Sequence, residues 1–228
     1  MKKNGLVLPV LAGGLLGGAL RFWRFGFRPY TGALLEGGQI PAIVLIVLSV
    51  AVAVGIWLMT RDETGTELKT SGIGRLGQAI LCAYLIYSGV WSLLSSRELL
   101  SMLTSAMGLI AAAFGLVVIA GWKGNHVPMC LYAVLLLIGR FRSWSTDPQL
   151  AGYAYQLLAC VSLMLATYYR ASFDMGMGNM KGYRRWSLLA AFFAMTAMTD
   201  PQRVFYGVIA FWLLTNQVVG RIEAPAEE

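Results

Sequence analysis

Seven charged side chains recur beside the short polar turns that break up the apolar runs of this chain: Arg97, Glu98, Arg140, Arg142, Asp147, Asp200 and Arg203. Arginine presents a planar fork of donors that matches a carboxylate or a phosphate. Arginines converging on one rim would hold an anionic solute or a lipid headgroup. On this reading Arg97, Arg140, Arg142, Arg203, Asp147 and Asp200 are the candidate ligand-binding residues. The same residues also suit a plainer use, in which each arginine pairs with a neighbouring acid or with lipid phosphate. Arg21, Arg24 and Arg28, within RFWRFGFRPY, fall on the same side when the runs are alternated across a membrane.

Other chemistry is sparse. There is no HExxH, GxSxG or GxxxxGK motif and no carboxylate pair inside an apolar run. The sole histidine, His126, follows Lys123, Gly124 and Asn125 in a polar loop and reads as a solvated side chain. Cys82, Cys130 and Cys160 lie in apolar runs without CxxC spacing and read as small buried hydrophobes. No metal and no cofactor is expected, and the chain does not read as an enzyme. Gln78, Gln156, Asn216 and Gln217 are the main polar residues within the runs. A proton-coupled pump would place Asp, Glu or His there. Gln156 and Asn216 read instead as hydrogen-bonding glue between helices.

The elements that must position these residues are helices in a membrane. Of 228 residues, 57% are hydrophobic and 13% charged, whereas a soluble domain carries about a quarter charged. Apolar runs repeatedly approach the roughly 20 residues that cross a bilayer as a helix. The sequence therefore reads as an all-α membrane protein with spans near 6–20, 40–59, 76–94, 99–120, 127–139, 150–169, 186–199 and 204–219. The longest polar stretches, 21–39 and 60–75, are too short to bury a core of their own. The net charge of +7 belongs to loops that set topology and meet anionic lipid, not to nucleic-acid binding. The first run, preceded by Lys2 and Lys3 but followed by no small-residue cleavage site, reads as a retained helix. The runs 127–139 and 186–199 are short, which fits either discontinuous helices at a binding site or helices lengthened by snorkelling arginines.

Loop charge orients the spans. Lys2, Lys3, Arg61, Lys69, Arg75, Lys123, Arg170, Lys181, Arg184, Arg185 and Arg221 fall on one side, 11 in all. Arg21, Arg24, Arg28, Arg97, Arg140, Arg142 and Arg203 fall on the other, 7 in all. The excess places both termini in the cytoplasm. Trp23, Trp57, Trp91, Trp122, Trp144 and Trp186 lie near run ends, where an amphipathic ring prefers the headgroup level; Trp212 lies well inside a run.

The tetrapeptide TDPQ occurs at 146–149 and at 199–202. Asp before Pro suits an N-cap and first helical position, because the carboxylate accepts from free N–H groups and proline lacks the orphaned donor. Asp147 and Asp200 are thus expected to cap, and Ser96 fits the equivalent place one unit earlier. The last six spans then read as three hairpins of about 52 residues pointing the same way. A duplication would give that spacing, and so would the general preference for Asp-Pro at helix starts. Residues 1–60 form a glycine-rich leading pair and 61–228 the six-helix region, within one membrane domain. In LAGGLLGG, Gly13 with Gly17 and Gly14 with Gly18 each make GxxxG, a helix-packing face whose partner is either within this chain or in another.

The stretches LPVLAGGLLGGALRFWRF and TGALLEGGQIPAIVLIVLS resemble a group of uncharacterised polytopic membrane proteins of Gram-positive anaerobes. The resemblance covers roughly the first 60 residues and implies a bacterial plasma membrane; it implies no activity. The expected function is non-enzymatic binding of a small solute or lipid in transport or sensing. The alternative is a scaffold or accessory subunit docking a membrane protein, or a second copy of itself, through the glycine face. Membrane lipids are partners in both. The orientation is directly testable: Thr64→Cys and Ala224→Cys, each in a background without the three native cysteines, should resist an impermeant thiol reagent in intact cells. Labelling of both would reverse the topology.

Overall fold

A computed structural model of the chain describes residues 7–25, 39–61, 63, 72–122, 124–145, 153–199 and 202–218. These residues form eight α-helices: α1 (Val7–Phe25), α2 (Gln39–Met59), α3 (Gly72–Ser95), α4 (Leu99–Ile119), α5 (Val127–Trp144), α6 (Ala154–Asp174), α7 (Met180–Ala197) and α8 (Arg203–Val218). There is no strand among them. Three helices are long and apolar enough to cross a membrane, over Ala42–Met59, Gly72–Ser95 and Leu99–Ile119. The first of these is also the least covered, with Ile43, Ile46, Val47, Val50 and Val54 facing outwards.

Helices α3 to α8 pack in cyclic order, each on the next and α8 back on α3. Helix α1 lies against α7, and α2 packs on α1 and reaches α7. Close approaches at glycine show that ring neighbours run antiparallel. Gly89 of α3 meets Leu109 of α4 while Gly115 of α4 meets Cys82 and Gln78 of α3; Gly108 of α4 lies under Tyr132 of α5 while Gly139 of α5 meets Leu100 of α4. The ring closes between α3 and α8. Gly77 admits the Thr215 side chain and the Trp212 backbone, and the Trp212 indole N–H donates to Gln78 Oε1 at 2.6 Å. Gln78 is therefore interhelical glue. The Asn216 amide donates to Trp212 O of its own helix at 2.8 Å, and among the described residues it makes no hydrogen bond to another helix.

Two helix ends are set by glycines in the left-handed region, Gly121 at φ 87° and Gly176 at φ 75°. Each donates to the carbonyl three residues back, and the next residue donates five back: Gly121 to Val118 and Trp122 to Val117, Gly176 to Phe173 and Met177 to Ser172. This paired C-terminal closure needs a positive φ that only glycine adopts at little cost. At the following helix start, Asn179 Oδ1 accepts from the Gly182 N–H at 2.9 Å.

The expected caps fare differently. The first TDPQ copy, with Asp147, and the Asp200–Pro201 pair of the second lie outside the described residues. Ser96 does not cap α4. The chain stays extended through Glu98 (φ −81°, ψ 127°), which takes the N-cap position without a side-chain bond, and the Ser96 hydroxyl instead accepts from Ser101 Oγ at 3.1 Å. Nor are the fifth and seventh helices short or broken. Each is continuous over 18 residues, about 27 Å, because α5 runs on past Arg140 and Arg142 while α7 starts six residues before Trp186.

The glycine face of α1 turns inwards. A Cβ at Gly14 would stand 2.9 Å from Met195 Cβ, one at Gly17 2.8 Å from Thr196 Oγ1, one at Gly13 3.1 Å from a Val52 methyl and one at Gly18 3.3 Å from the Met195 carbonyl. Gly55, in α2, has open space instead. Gly14→Leu should therefore lower the melting temperature by several degrees, whereas Gly55→Leu should leave it unchanged or raise it, since leucine favours helix by about 0.5–1 kcal/mol over glycine. Equal effects in one detergent would show that the α1–α7 contact does not hold the pair together.

Candidate functional site

A cavity of about 500 Å³ lies between α3, α4, α5 and the start of α8. Its mouth carries exposed Glu98 and Arg142, and it descends to buried Leu85, Gly108 and Tyr132. The Tyr132 ring lies 3.1 Å from where a Gly108 Cβ would be, so the absent side chain is what lets the ring pack on α4. Ser88 and Ser92 sit one turn apart on α3, and Ser101, Thr104 and Ser105 share a face of α4; all five line the cavity. Spacings of three and four residues bring these hydroxyls onto one wall. That signal was present in the sequence but diluted among scattered serines.

Of the expected rim residues, the structure brings Arg140, Arg142 and Glu98 to this cavity. Arg142 Nη1 lies 3.6 Å from Glu98 Oε1 in an exposed pair, which at such exposure contributes little to stability. Arg140 is partly buried, and no carboxylate among the described residues forms an ion pair with it. It shares the lining with Tyr84 and Tyr132. Gln202 Oε1, also in the lining, is buried without a hydrogen-bond partner among the described residues. Arg97 and Arg203 are exposed at the same end but do not line the cavity. Asp147 and Asp200 lie outside the described residues.

Arg21 is a correction of another kind. It belongs to α1 rather than to a solvated turn, is 1% exposed, and its guanidinium lies 5.5 Å from the Tyr155 ring centroid. A cation over an aromatic face keeps an electrostatic partner when removed from water.

The opposite end holds the cluster that sequence reading missed. His126 is 5% exposed, not solvated. Its backbone N–H donates to Asp174 Oδ2 at 2.7 Å, and its Nδ1 lies 2.8 Å from the same oxygen. Arg170 Nε donates to His126 Nε2 at 3.4 Å. A ring nitrogen that accepts from arginine carries no proton, so the proton is on Nδ1 and the ring is neutral. Burial, reinforced by the Arg170 charge, pulls the His126 pKa below its ordinary 6.5, against the opposing pull of Asp174. Beside it, Arg184 is paired with Glu63. Arg185 donates to Thr60 Oγ1 at 2.9 Å and stands 5.4 Å from the Trp57 ring centroid. Arg170, Asp174, Arg184 and Arg185 lie just outside the apolar runs 150–169 and 186–199, and their pairing lets α6 and α7 continue beyond those runs. Nothing local in the sequence marks His126, because its carboxylate is 48 positions away.

Comparison with protein-family models, with curated proteins and with solved structures gives no match.

A lowered histidine pKa fixes the sign of a pH effect. Between the folded pKa and 6.5 the unfolded chain binds a proton that the folded chain refuses, so stability is full above 6.5 and falls as pH drops below it. The chain has no other histidine. Melting temperature should fall between pH 7.5 and pH 5 for the native chain, and His126→Gln should be less stable at pH 7.5 but nearly flat over that window. An equally steep fall in the variant would show that another group is responsible.

Proposed function

We propose that the protein is a non-enzymatic multi-pass protein of the bacterial plasma membrane, crossing it eight times, that binds a small solute or lipid in the α3–α4–α5–α8 cavity as part of transport or sensing. The observation that carries this reading is the pairing of a cavity about 500 Å³ in volume with Arg140, a partly buried cation left without a carboxylate among the described residues. Small-molecule sites fall in the range of about 300–1,000 Å³ and combine apolar walls with a few convergent polar groups. Leu85, Leu136 and Phe205 supply the first, and Arg140, Gln202 and the serines the second. A cation held in a low-dielectric wall draws anions more strongly than one in water.

Binding fits the lining better than catalysis does. Among the described residues Glu98 is the lining's one carboxylate, and it faces Arg142, so none of them is a base beside the hydroxyls that would activate a nucleophile. The bacterial membrane assignment rests on the three apolar helices and on the resemblance of the first 60 residues. Lipid chains are the natural cover for the exposed apolar side of α2. The scaffold alternative loses its proposed surface, since Gly13, Gly14 and Gly17 are occupied by α7 and α2.

Native mass spectrometry of the chain in mild detergent tests the reading. The native protein should retain a small-molecule mass, and Thr104→Phe, which fills the cavity from α4, should lose it while keeping its melting temperature. Identical spectra from the two, with a second protein retained in fixed ratio, would replace the binder with a scaffold.

A further inference from the structure

The hydroxyl wall of the cavity has a definite hydrogen-bonding sense. Thr104 Oγ1 donates to Leu100 O at 2.8 Å, Ser105 Oγ to Ser101 O at 2.8 Å, and Ser143 Oγ to Arg140 O at 2.9 Å. Ser101 Oγ donates to Ser96 Oγ at 3.1 Å. Once the proton is committed to the helix, what a hydroxyl offers a ligand is its oxygen lone pairs. Gln202 adds a buried carbonyl oxygen. The wall is therefore mostly accepting, and it suits a ligand that brings many O–H donors.

Arg140 makes the opposite demand. It has only donors and a fixed positive charge, and among the described residues no carboxylate pairs with it, Glu98 facing Arg142 instead. An ammonium would also donate to the wall. Among the described residues it would find no buried counter-charge in the lining, because Glu98 is exposed and engaged with Arg142. A bare acyl chain would strip water from the same oxygens and replace it with nothing, which is costly for buried polar groups. An anion without hydroxyls would satisfy Arg140 and leave the wall unmet. One ligand class answers both demands.

We propose that the cavity takes a small anionic polyol, with its phosphate or carboxylate on Arg140 and its hydroxyls donating to Ser101, Thr104 and Ser105. The assignment rests on the cavity being the binding site, as proposed above. The same chemistry is presented by a free solute or by the glycerophosphate headgroup of an anionic lipid.

Melting temperatures of the purified chain in phosphatidylcholine nanodiscs test it, with glycerol 3-phosphate and gluconate as anionic polyols. Inorganic phosphate, acetate and glycerol serve as matched controls. At least one anionic polyol should raise the melting temperature well above its controls at equal concentration. Arg140→Gln should weaken that polyol about tenfold, as expected for loss of a hydrogen bond to a charged group. The double variant Ser101→Ala/Ser105→Ala, which leaves no backbone group unpaired, should bring polyol and matched anion to within about twofold of each other, as for loss of ordinary hydrogen bonds. A polyol shift present in phosphatidylcholine but absent in phosphatidylglycerol nanodiscs identifies the headgroup as the occupant; a shift in both identifies a free solute. Equal shifts from polyols and simple anions, or shifts undiminished in Arg140→Gln, overturn the ligand class. So does the absence of any shift, and the retained-mass measurement then separates the two failures: a mass lost in Thr104→Phe keeps the cavity as a site, and none retained removes it.

Discussion

The indole N–H of Trp212 and the amide oxygen of Gln78 are 134 positions apart in sequence and 2.6 Å apart in space. Away from water neither group has an alternative partner, and leaving both unpaired would cost several kcal/mol. Gly77 beside them removes the side chain that would hold the two backbones apart. Together they oblige the last helix to return to the third, which turns a row of antiparallel helices into a ring. Once the ring exists, the space inside it must be either filled or kept as a cavity. Tyr132 and Leu85 fill one part; Phe205, on the helix that closes the ring, and Gln202, just before it, line the remainder.

Arginine shows how differently the two ends of that ring are finished. Away from the cavity, charge is matched pair by pair: Arg184 with Glu63, and Asp174 with the His126 ring and backbone. Each partner lowers the cost of holding the other out of water. At the cavity end, Arg142 and Glu98 meet loosely in solvent, Arg21 rests on Tyr155, and Arg140 faces a wall of hydroxyl oxygens. Stability alone would favour an acid opposite Arg140. Its absence among the described residues is a cost that a charged ligand would relieve.

Helix number and register were legible because hydropathy is a local property: the starts of α4 and α5 and the end of α2 coincide with the apolar limits. Helix length was not. Hydropathy stops at a charged residue, while a helix can continue where that residue finds a partner, and the partners of Arg184, Arg185 and Asp174 are Glu63, Thr60 and His126, in segments that flank other helices. His126 fails for the same reason. A lone histidine in a polar loop looks solvated until a carboxylate 48 positions away is folded against it. The glycines of α1 were readable as a packing face, though not as one that α7 covers. For the candidate site, the sequence marked the arginine rim but could not separate Arg140, which pairs with no acid among the described residues, from Arg142, which has Glu98.

Helices α3 to α8 follow one another around the ring, and α4 and α6 end in matching closures at Gly121 and Gly176. The filling is not equivalent. On the α6 and α7 side Leu163, Tyr183, Leu188 and Phe192 are at most 1% exposed and do not line the cavity. On the α3 and α4 side the corresponding volume is given to serine, threonine and glycine, whose small side chains leave the space open. A ring of three like units would offer a ligand on its axis three equal poses. Here Arg140 on α5 faces the hydroxyls of Ser101, Thr104 and Ser105 on α4, so charge and hydroxyl on adjacent helices would set the orientation of a bound ligand.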